Sequence, residues 1–271
     1  MSIDTTGSAP SRGPSDEAGG SRRTAAPAAR TAVVIPAAGK GLRLGPGAPK
    51  ALRELGGLPM FVHAVRATAR AREVALVVVV APPDGAEGVR ELLDAHGPGS
   101  GVELSVVPGG GTRQESVRLG LKALPPWVDT VLVHDAARPL VPAATVDAVA
   151  AAVRGGAPAV VPALPVTDTV KEVEPRGDGP EPVTGTPDRA RLRAVQTPQG
   201  FAREVLVAAH DRFAAEGTEG AGGAGATDDA GMVERLDVEV VLVPGHEEAF
   251  KVTRPLDLVL AEAVLARREE R

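Results

Sequence analysis

The feature that most constrains the fold of this chain is a regular alternation of short apolar runs with helical segments. Several of the runs are apolar throughout, which is typical of parallel strands covered on both faces. The predicted strands are Thr31–Pro36, Val74–Val80, Val102–Val107, Thr130–His134 and Ala159–Val161, and the predicted helices between them are Met60–Arg70, Ala86–Ala95, Glu115–Leu124 and Ala143–Arg154. This order predicts an α/β fold with a doubly wound, mostly parallel, Rossmann-like sheet that binds ligands at the carboxyl ends of its strands.

Other segments depart from this alternation. Residues 1–30 hold hardly any large apolar side chain, so we expect a disordered tail before a single domain of residues 31–271. Residues 166–195 place a Pro- and Gly-rich segment between the strand-like stretches Asp168–Val173 and Leu192–Val195, which predicts a protruding β-hairpin arm. We further expect a mobile loop at Glu216–Ala226, a strand at Val238–Val243 and a helix from Pro255 onward.

Composition narrows the possible functions. The 271 residues include no cysteine, which excludes thiol nucleophiles and thiolate metal sites, leaves only oxygen-bound metals and fits a cytoplasmic protein. A net charge of −5 argues against nucleic acid or an anionic membrane as partner, and 2% aromatic residues argue against base-stacking platforms. No apolar run approaches the roughly 18 residues of a membrane span. We therefore expect a small-molecule ligand.

The first candidate site is a glycine-rich turn directly after the first predicted strand. Gly39, Gly41 and Gly45 allow the backbone to approach phosphate oxygens closely, and Arg43 and Lys50 add positive charge at the same rim. These cations favour a triphosphate loop over a dinucleotide loop or a plain tight turn. A dinucleotide site usually has an acidic residue for the ribose after the second strand, where Asp84 is better interpreted as a helix cap.

A second candidate site follows the third predicted strand, at Pro108–Ser116. Thr112 and Glu115 have the spacing of a capping box, which favours a structural role for both. Gly109, Gly110 and Ser116 lie where a helix N-terminus opens on the ligand edge, and its free N–H donors suit a polar ring such as a nucleotide base.

The fourth predicted strand ends in His134 and Asp135. An unpaired buried carboxylate is costly, so Asp135 either binds Mg²⁺ and ligand hydroxyls or is neutralised by Arg138 as a structural pair. Its position at the crevice favours the ligand role. His134 is interpreted as a satisfied core residue, because the histidines show no metal-type spacing.

Three further positions are ambiguous from their residue types alone. The first interpretation of Thr227–Ala230 is a helix N-cap whose acidic side chains complement the helix dipole. The second is a supporting role near a metal site. Lys251 is a solvated cation or a phosphate ligand, and Arg189 by itself is a surface residue of the arm.

In combination these motifs point to a known family. They are Pro36–Arg43 with Pro49 and Lys50, Gly109 and Gly110 with Ser116, His134–Pro139, Asp168 and Thr169, Asp188 and Arg189, Gln196–Gln199, Thr227–Ala230 and Lys251–Pro255. From about residue 31 to its end, the chain resembles the 2-C-methyl-D-erythritol 4-phosphate cytidylyltransferases. The combination is far more specific than any one motif.

The resemblance implies a glycosyltransferase-A-type nucleotidyltransferase fold and transfer of CMP from CTP to methylerythritol phosphate, with Mg²⁺ or another divalent cation, in isoprene biosynthesis. It also implies a homodimer, in which the arm carries Thr169 and Arg189 to the partner's site. The resemblance also assigns roles by position. The implied catalytic residues are Arg43, Lys50 and Lys251, and the implied nucleotide-binding residues are Pro36, Ala37, Ala38, Gly39, Gly41, Gly109, Gly110 and Ser116. The implied substrate-binding residues are Asp135, Ala136, Thr169 and Arg189, and Asp135 is also the implied metal ligand.

Three alternatives stay open at this point. The nearest keeps the fold and changes the acceptor to another alditol phosphate such as ribitol 5-phosphate. A dinucleotide-dependent oxidoreductase and a non-catalytic nucleotide-binding regulator are the others.

Overall fold

A computed structural model describes Met1 and residues 30–38, 50–99, 101–177, 179–216 and 228–270, with only the backbone at Lys50. The expected disordered tail and the expected mobile loop at Glu216–Ala226 lie almost entirely outside these residues. So do Gly39, Gly41, Arg43 and Gly45 of the first glycine-rich turn.

The described residues form twelve strands and seven α-helices. The strands are β1 (Thr31–Pro36), β2 (Glu54–Leu55), β3 (Leu58–Pro59), β4 (Val74–Ala81), β5 (Glu103–Pro108), β6 (Thr130–Val133), β7 (Ala159–Pro165), β8 (Glu172–Val173), β9 (Val183–Gly185), β10 (Arg193–Val195), β11 (Gln199–Ala202) and β12 (Val240–Pro244). The helices are α1 (Met60–Ala69), α2 (Ala86–His96), α3 (Arg113–Lys122), α4 (Ala143–Arg154), α5 (Arg203–Ala215), α6 (Asp229–Glu234) and α7 (Pro255–Glu269).

The central sheet has the strand order β10-β7-β11-β6-β1-β4-β5, and β12 pairs with β7 as well. The pairs that β1 makes with β4 and β6 are parallel, as are β4 with β5 and β7 with β12. Only β10 and β11 run antiparallel to their neighbours. The predicted mostly parallel sheet is therefore confirmed.

Helices cover both faces of this sheet, which confirms the predicted doubly wound arrangement. In β1, Val33 and Ile35 pack into a core with α1, α2 and α4, whereas Ala32 and Val34 pack into a second core with α3, α5 and α6. Because successive side chains of a strand point to opposite faces, a strand buried on both faces needs apolar residues at every position. A third cluster joins α7 to β2 through Leu55 and Ala261.

The structure differs from the sequence prediction in elements that were not predicted and in one helix cap. Strand β11 and helix α5 are among the elements that were not predicted. In β11, Gln199–Ala202 offers only Phe201 as a large apolar residue. The prediction of Asp84 as a helix cap is wrong. The N-cap of α2 is Gly85, with no side-chain cap hydrogen bond.

A hairpin lies within residues 166–195, but its strands are not the predicted ones. Strand β8 pairs antiparallel with β9, inside the segment expected to be irregular, whereas the predicted return stretch Leu192–Val195 contains β10, which pairs with β7. None of the described residues from 165 to 195 is buried. The hairpin therefore extends away from the cores of the domain.

No helix among the described residues is both long and apolar enough to cross a membrane.

Two helical glycines allow a matched test of the packing between α3 and the sheet. A β-carbon at Gly120 would lie 2.6 Å from Val34 Cγ1, whereas one at Gly88 on α2 has no atom within 4 Å. We expect Gly120→Ala to lower the free energy of unfolding by about 1–3 kcal/mol through overpacking. Gly88→Ala should raise it by about 0.5–1 kcal/mol through helix propensity. Urea denaturation measures both, and equal effects at the two sites would contradict this packing.

Candidate active site

The carboxyl ends of four parallel strands form one continuous edge. Beyond the strands, the Ala37 amide donates to Val80 O at 2.8 Å and the Gly109 amide donates to Ala81 O at 2.8 Å. The His134 amide donates to Val34 O at 2.9 Å on the other side of β1. The predicted nucleotide and acidic segments are thereby brought to the same edge.

Two of the predicted nucleotide segments touch each other. A β-carbon at Gly109 would lie 3.1 Å from Ala38 Cβ, 2.9 Å from Ser116 Oγ and 2.8 Å from Ala81 O. No larger residue fits at Gly109 without a shift of its neighbours. This close approach is what a backbone surface that cradles a nucleotide requires.

The Ser116 hydroxyl holds the loop between β5 and α3 rather than facing open space. It accepts a hydrogen bond from the Gly110 amide at 3.2 Å and donates to Thr112 O at 2.8 Å, and the residue is 1% exposed. Thr112 Oγ1 accepts from the Glu115 amide at 3.0 Å, which confirms the predicted N-cap, but Glu115 Oε2 accepts from the Gly111 amide at 2.8 Å instead of closing the predicted box at Thr112. Helix α3 begins at Arg113, two residues before the predicted start.

The centre of the site is a carboxylate surrounded by three cations. Asp135 Oδ2 lies 2.7 Å from Lys251 Nζ and 4.0 Å from Arg138 Nε, and its Oδ1 lies 3.6 Å from Arg113 Nη2. Burial alone would raise the pKa of Asp135, but the positive charges of Arg113 and then Lys251 outweigh it and hold the pKa well below its ordinary value. Asp135 is therefore fully ionised, and Ala136 beside it is 4% exposed.

Arg138 is paired with Asp135, as the structural alternative expected, but it is more distant than Lys251 and Arg113 and does not neutralise the carboxylate alone. Its guanidinium donates to Ala249 O at 2.7 Å and to Val195 O at 3.3 Å, in the segments before Lys251 and at the base of the arm. Arg138 thus joins two loops to the end of β6.

His134 is a satisfied core residue, as predicted, and its hydrogen bonds define its tautomer. Nε2 lies 3.1 Å from Arg138 O, which can only accept, so Nε2 carries the proton. The bare Nδ1 then accepts from the Thr197 hydroxyl at 3.1 Å, and Thr197 Oγ1 accepts from the Asp135 amide at 3.0 Å. Burial lowers the pKa of His134 to about 4, so the ring is neutral.

Thr197 belongs to the segment Gln196–Gln199, whose side chains fix three loops around the site. Gln196 Nε2 donates to His246 O at 2.9 Å, and its Oε1 accepts from the His246 amide at 3.0 Å. Gln199 Nε2 donates to Asp228 Oδ2 at 2.6 Å, and its Oε1 accepts from the Ala230 amide at 3.1 Å. Buried amides that use both ends in this way hold backbone segments in fixed register.

The acids of Thr227–Ala230 divide into two roles. Asp228 is the N-cap of α6 and accepts from the Gly231 amide at 2.9 Å, which confirms the predicted cap. Asp229 is fully buried and lies 2.8 Å from Arg113 Nη2 and 3.0 Å from His210 Nε2. Sequence reasoning missed Arg113 and this pair, because contacts between distant helices leave no local spacing.

Lys251 lies in an extended segment held on both sides. The Val252 amide donates to Ala137 O at 2.8 Å, and Asp257 Oδ2 accepts from the amides of Thr253 and Arg254 at 2.7 and 2.8 Å. Lys251, Thr253, Arg254 and Asp257 line a cavity of about 480 Å³. A cavity of this size accommodates a small ligand.

The two predicted residues of the arm are not shown in contact with Asp135. Arg189 Nη1 donates to Thr167 O at 2.7 Å within the arm, and both Arg189 and Thr169 are exposed. Pro36 ends β1 at the ligand edge. The backbone of Lys50 begins a short 3₁₀ turn, Lys50–Leu52.

At this edge the described residues offer a metal one carboxylate, Asp135, whose oxygens already face Lys251 and Arg113. No group of three acidic or histidine side chains suited to a metal occurs among the residues described. Asp135 is the carboxylate at the crevice, and Mg²⁺ commonly uses one or two carboxylates together with substrate phosphates and water.

The fold and this edge define the class of the protein. A glycine-lined backbone surface, a cluster of cations and an ionised acid meet at the carboxyl ends of a doubly wound sheet. These are the parts of an α/β nucleotidyltransferase.

Comparison with known proteins specifies the family. The model of the family IspD, described as 2-C-methyl-D-erythritol 4-phosphate cytidylyltransferase, matches residues 31–267. The protein of that description from Streptomyces coelicolor is 69% identical over 242 residues, which cover 89% of this chain and 86% of the relative. The one from Streptomyces avermitilis is 68% identical over 242 residues, covering 89% and 93%. The chain belongs to the 2-C-methyl-D-erythritol 4-phosphate cytidylyltransferase family.

Solved structures agree with this assignment. The crystal structure of 2-C-methyl-D-erythritol 4-phosphate cytidylyltransferase from Thermus thermophilus is 37% identical, has a TM-score of 0.66 and covers 86% of this chain and 98% of its own. That of 4-diphosphocytidyl-2C-methyl-D-erythritol synthase from Anaerococcus prevotii is 28% identical, with a TM-score of 0.71 and coverage of 87% and 96%.

The buried neutral ring of His134 predicts a pH dependence of stability. Its pKa is about 4 in the folded chain and 6.5 ordinarily, so below pH 6.5 only the unfolded chain gains the proton. We expect the free energy of unfolding to fall by about 2–3 kcal/mol through this residue between pH 6.5 and about 4.5. Urea denaturation across this range measures the slope.

The matched variants are His134→Gln and His96→Gln. His134→Gln removes the titrating ring and should flatten the slope, whereas His96 is exposed at the end of α2 and its replacement should keep the parent's slope. An unchanged slope in His134→Gln would contradict the assignment.

Proposed function

We propose that the site at the sheet edge catalyses transfer of the cytidylyl group of CTP to 2-C-methyl-D-erythritol 4-phosphate, giving CDP-methylerythritol and pyrophosphate for isoprene biosynthesis. The observation that carries the proposal is the cluster of Lys251, Arg113 and Arg138 around ionised Asp135, beside the surface of Ala38 and Gly109. Membership of the family supports both substrates.

The chemistry needs placement and positive charge more than covalent help. A phosphate oxygen of the acceptor attacks the α-phosphorus of CTP, and the bond to the β-phosphate oxygen breaks as pyrophosphate leaves. The attacking oxygen is already ionised, so no general base is required. Cations fixed beforehand stabilise the negative charge that accumulates on the phosphoryl oxygens.

Lys251 is the catalytic cation whose surroundings the structure describes. Its segment is fixed by Val252 and by Asp257, its ammonium pairs with Asp135, and the residue lines the cavity. We assign Arg43 and Lys50 to the triphosphate on the basis of the sequence motif, because the structure describes neither side chain.

The nucleotide contacts are assigned to the glycine-lined surface. Pro36, Ala37, Ala38, Gly39, Gly41, Gly109 and Gly110 supply backbone groups. Ser116 acts by fixing the backbone of the loop between β5 and α3, since its hydroxyl binds the Gly110 N–H and Thr112 O. Asp135 and Ala136 contact the acceptor at the end of β6.

Mg²⁺ or another divalent cation belongs with the triphosphate in this proposal. Asp135 would be its protein ligand, and the metal would supply neutralisation of the phosphate charges. The protein's own residues orient the phosphates, whichever divalent cation is bound.

We further propose that residues 31–271 form one catalytic domain and that the protein is a cytoplasmic homodimer joined by its arms. The arm at about 166–195 has no buried residue among those described, and Val173 and Val183 are exposed on it. Exposed apolar side chains on a projecting hairpin suit a partner surface. Thr169 and Arg189 would then reach the partner's site and hold the acceptor.

Release of pyrophosphate from CTP tests the proposed reaction. We expect release only when methylerythritol phosphate and a divalent cation are present. Lys251→Ala should lower kcat about 100-fold, because a fixed cation aimed at developing charge is worth about 3 kcal/mol. Lys122→Ala, which alters an exposed lysine at the end of α3, should keep the parent's kcat.

The acceptor distinguishes the remaining possibilities. A higher kcat/KM for ribitol 5-phosphate than for methylerythritol phosphate would replace the proposed acceptor with another alditol phosphate. Binding of CTP without turnover of either acceptor would indicate a regulator, and tight NAD(P) binding without pyrophosphate release would indicate an oxidoreductase.

Complementation between subunits tests the arm. Arg189→Ala and Lys50→Ala should each be nearly inactive as homodimers. In a random mixture half the dimers contain one intact site of two, so co-expression should restore about a quarter of the parent's activity. Arg189→Ala mixed with Thr169→Ala is the matched control, because both changes lie on the arm and no mixed dimer has an intact site. Absence of complementation in the first mixture would place each site within one chain.

A further inference from the structure

A line of alternating charges runs from the protein interior to the active-site edge. Arg113 Nη2 lies 2.8 Å from Asp229 Oδ2 and 3.6 Å from Asp135 Oδ1. The second oxygen of Asp135 faces Lys251 at 2.7 Å, and the second oxygen of Asp229 faces His210 at 3.0 Å. One guanidinium nitrogen is therefore shared by a carboxylate of the site and a carboxylate of the core.

The two carboxylates differ in their surroundings. The side chain of Asp229 is 0% exposed, whereas that of Asp135 is 13% exposed at the edge of the site. Transfer of an ion pair into the interior costs desolvation that its attraction often fails to recover, so Asp229 is a poor means of stabilising the fold. A buried charge of this kind calls for a role other than stability.

Asp229 is held in place independently of the active site. Helix α6 is fixed at its start by Gln199, which binds both Asp228 and the Ala230 amide. Arg113 is the first residue of α3, and its side chain as a whole is partly exposed although its guanidinium end is buried. The guanidinium lies between the two carboxylates of Asp229 and Asp135, so its position depends on both charges.

Loss of the Asp229 charge would change the partner of Arg113. The nearest remaining carboxylate among the described residues is Asp135, 3.6 Å from the same nitrogen. A guanidinium drawn fully onto Asp135 would compete with Lys251 and with any ligand of that carboxylate. Displacements of about 1 Å in such a site are costly to turnover.

We propose that Asp229 is a positioning residue for the transfer reaction: it holds Arg113 between two carboxylates, so that Asp135 stays oriented and available to the acceptor. This inference rests on the proposed function. It gives a purpose to a buried acid whose side chain, within the described part of the chain, is linked to the edge through Arg113.

Steady-state kinetics of four variants test the proposal. Asp229→Asn keeps the shape and removes the charge, so kcat/KM for methylerythritol phosphate should fall at least about tenfold while KM for CTP changes less than about twofold. Arg113→Gln should show the same pattern. The double variant should match Arg113→Gln alone, because Asp229 acts only through Arg113.

The fourth variant, His210→Leu, is the matched control. It removes the other partner of Asp229 and leaves the Arg113 pair intact, so it should lower the thermal midpoint at least as much as Asp229→Asn and keep kcat/KM within about twofold of the parent. A loss of activity in His210→Leu equal to that in Asp229→Asn would mean that the network is only structural.

The outcomes separate this inference from the function on which it rests. Parent kinetics in Asp229→Asn overturn the positioning role, and parent kinetics in Arg113→Gln do so even when Asp229→Asn fails to fold. Absence of transfer in the parent chain itself overturns the proposed function and the positioning role together.

Discussion

The architecture of the site depends on keeping one carboxylate ionised at the end of a buried strand. Asp135 follows β6, whose residues Thr130–Val133 are all buried, so its charge is tolerated only with cations close by. Those cations come from separate parts of the chain: Arg113 from α3, Arg138 from the turn after β6 and Lys251 from the segment before α7. Three distant segments are thereby drawn to one point.

The four residues Gln196–Gln199 make this convergence rigid. Gln196 fixes the segment that leads to Lys251, Thr197 fixes the amide of Asp135, and Gln199 fixes α6 with its buried acid. Each of these side chains hydrogen-bonds to a different segment of the chain: Gln196 to the His246 backbone, Thr197 to the Asp135 amide, and Gln199 to the Asp228 carboxylate and the Ala230 amide. A short polar stretch that contributes little to the apolar core therefore sets the geometry of the site.

Sequence reasoning succeeded where a local pattern determines the structure and failed where the partner is distant. The apolar runs of β1, β4 and β6 and the cap at Thr112 depend on neighbours within a few residues, and the structure confirms them. The insertion of β11 between β6 and β7 leaves no periodic signal, because its environment comes from the adjacent strands. The Arg113–Asp229 pair was missed for the same reason, since it joins helices more than a hundred residues apart.

Asp135 also explains how the site tolerates three positively charged side chains close together. Arg113, Arg138 and Lys251 would repel one another if they lined an empty crevice without Asp135, and the preorganisation that catalysis needs would be costly to maintain. Asp135 and Asp229 supply two negative charges against these three positive ones, so the cations can lie close together at this edge without mutual repulsion forcing them apart.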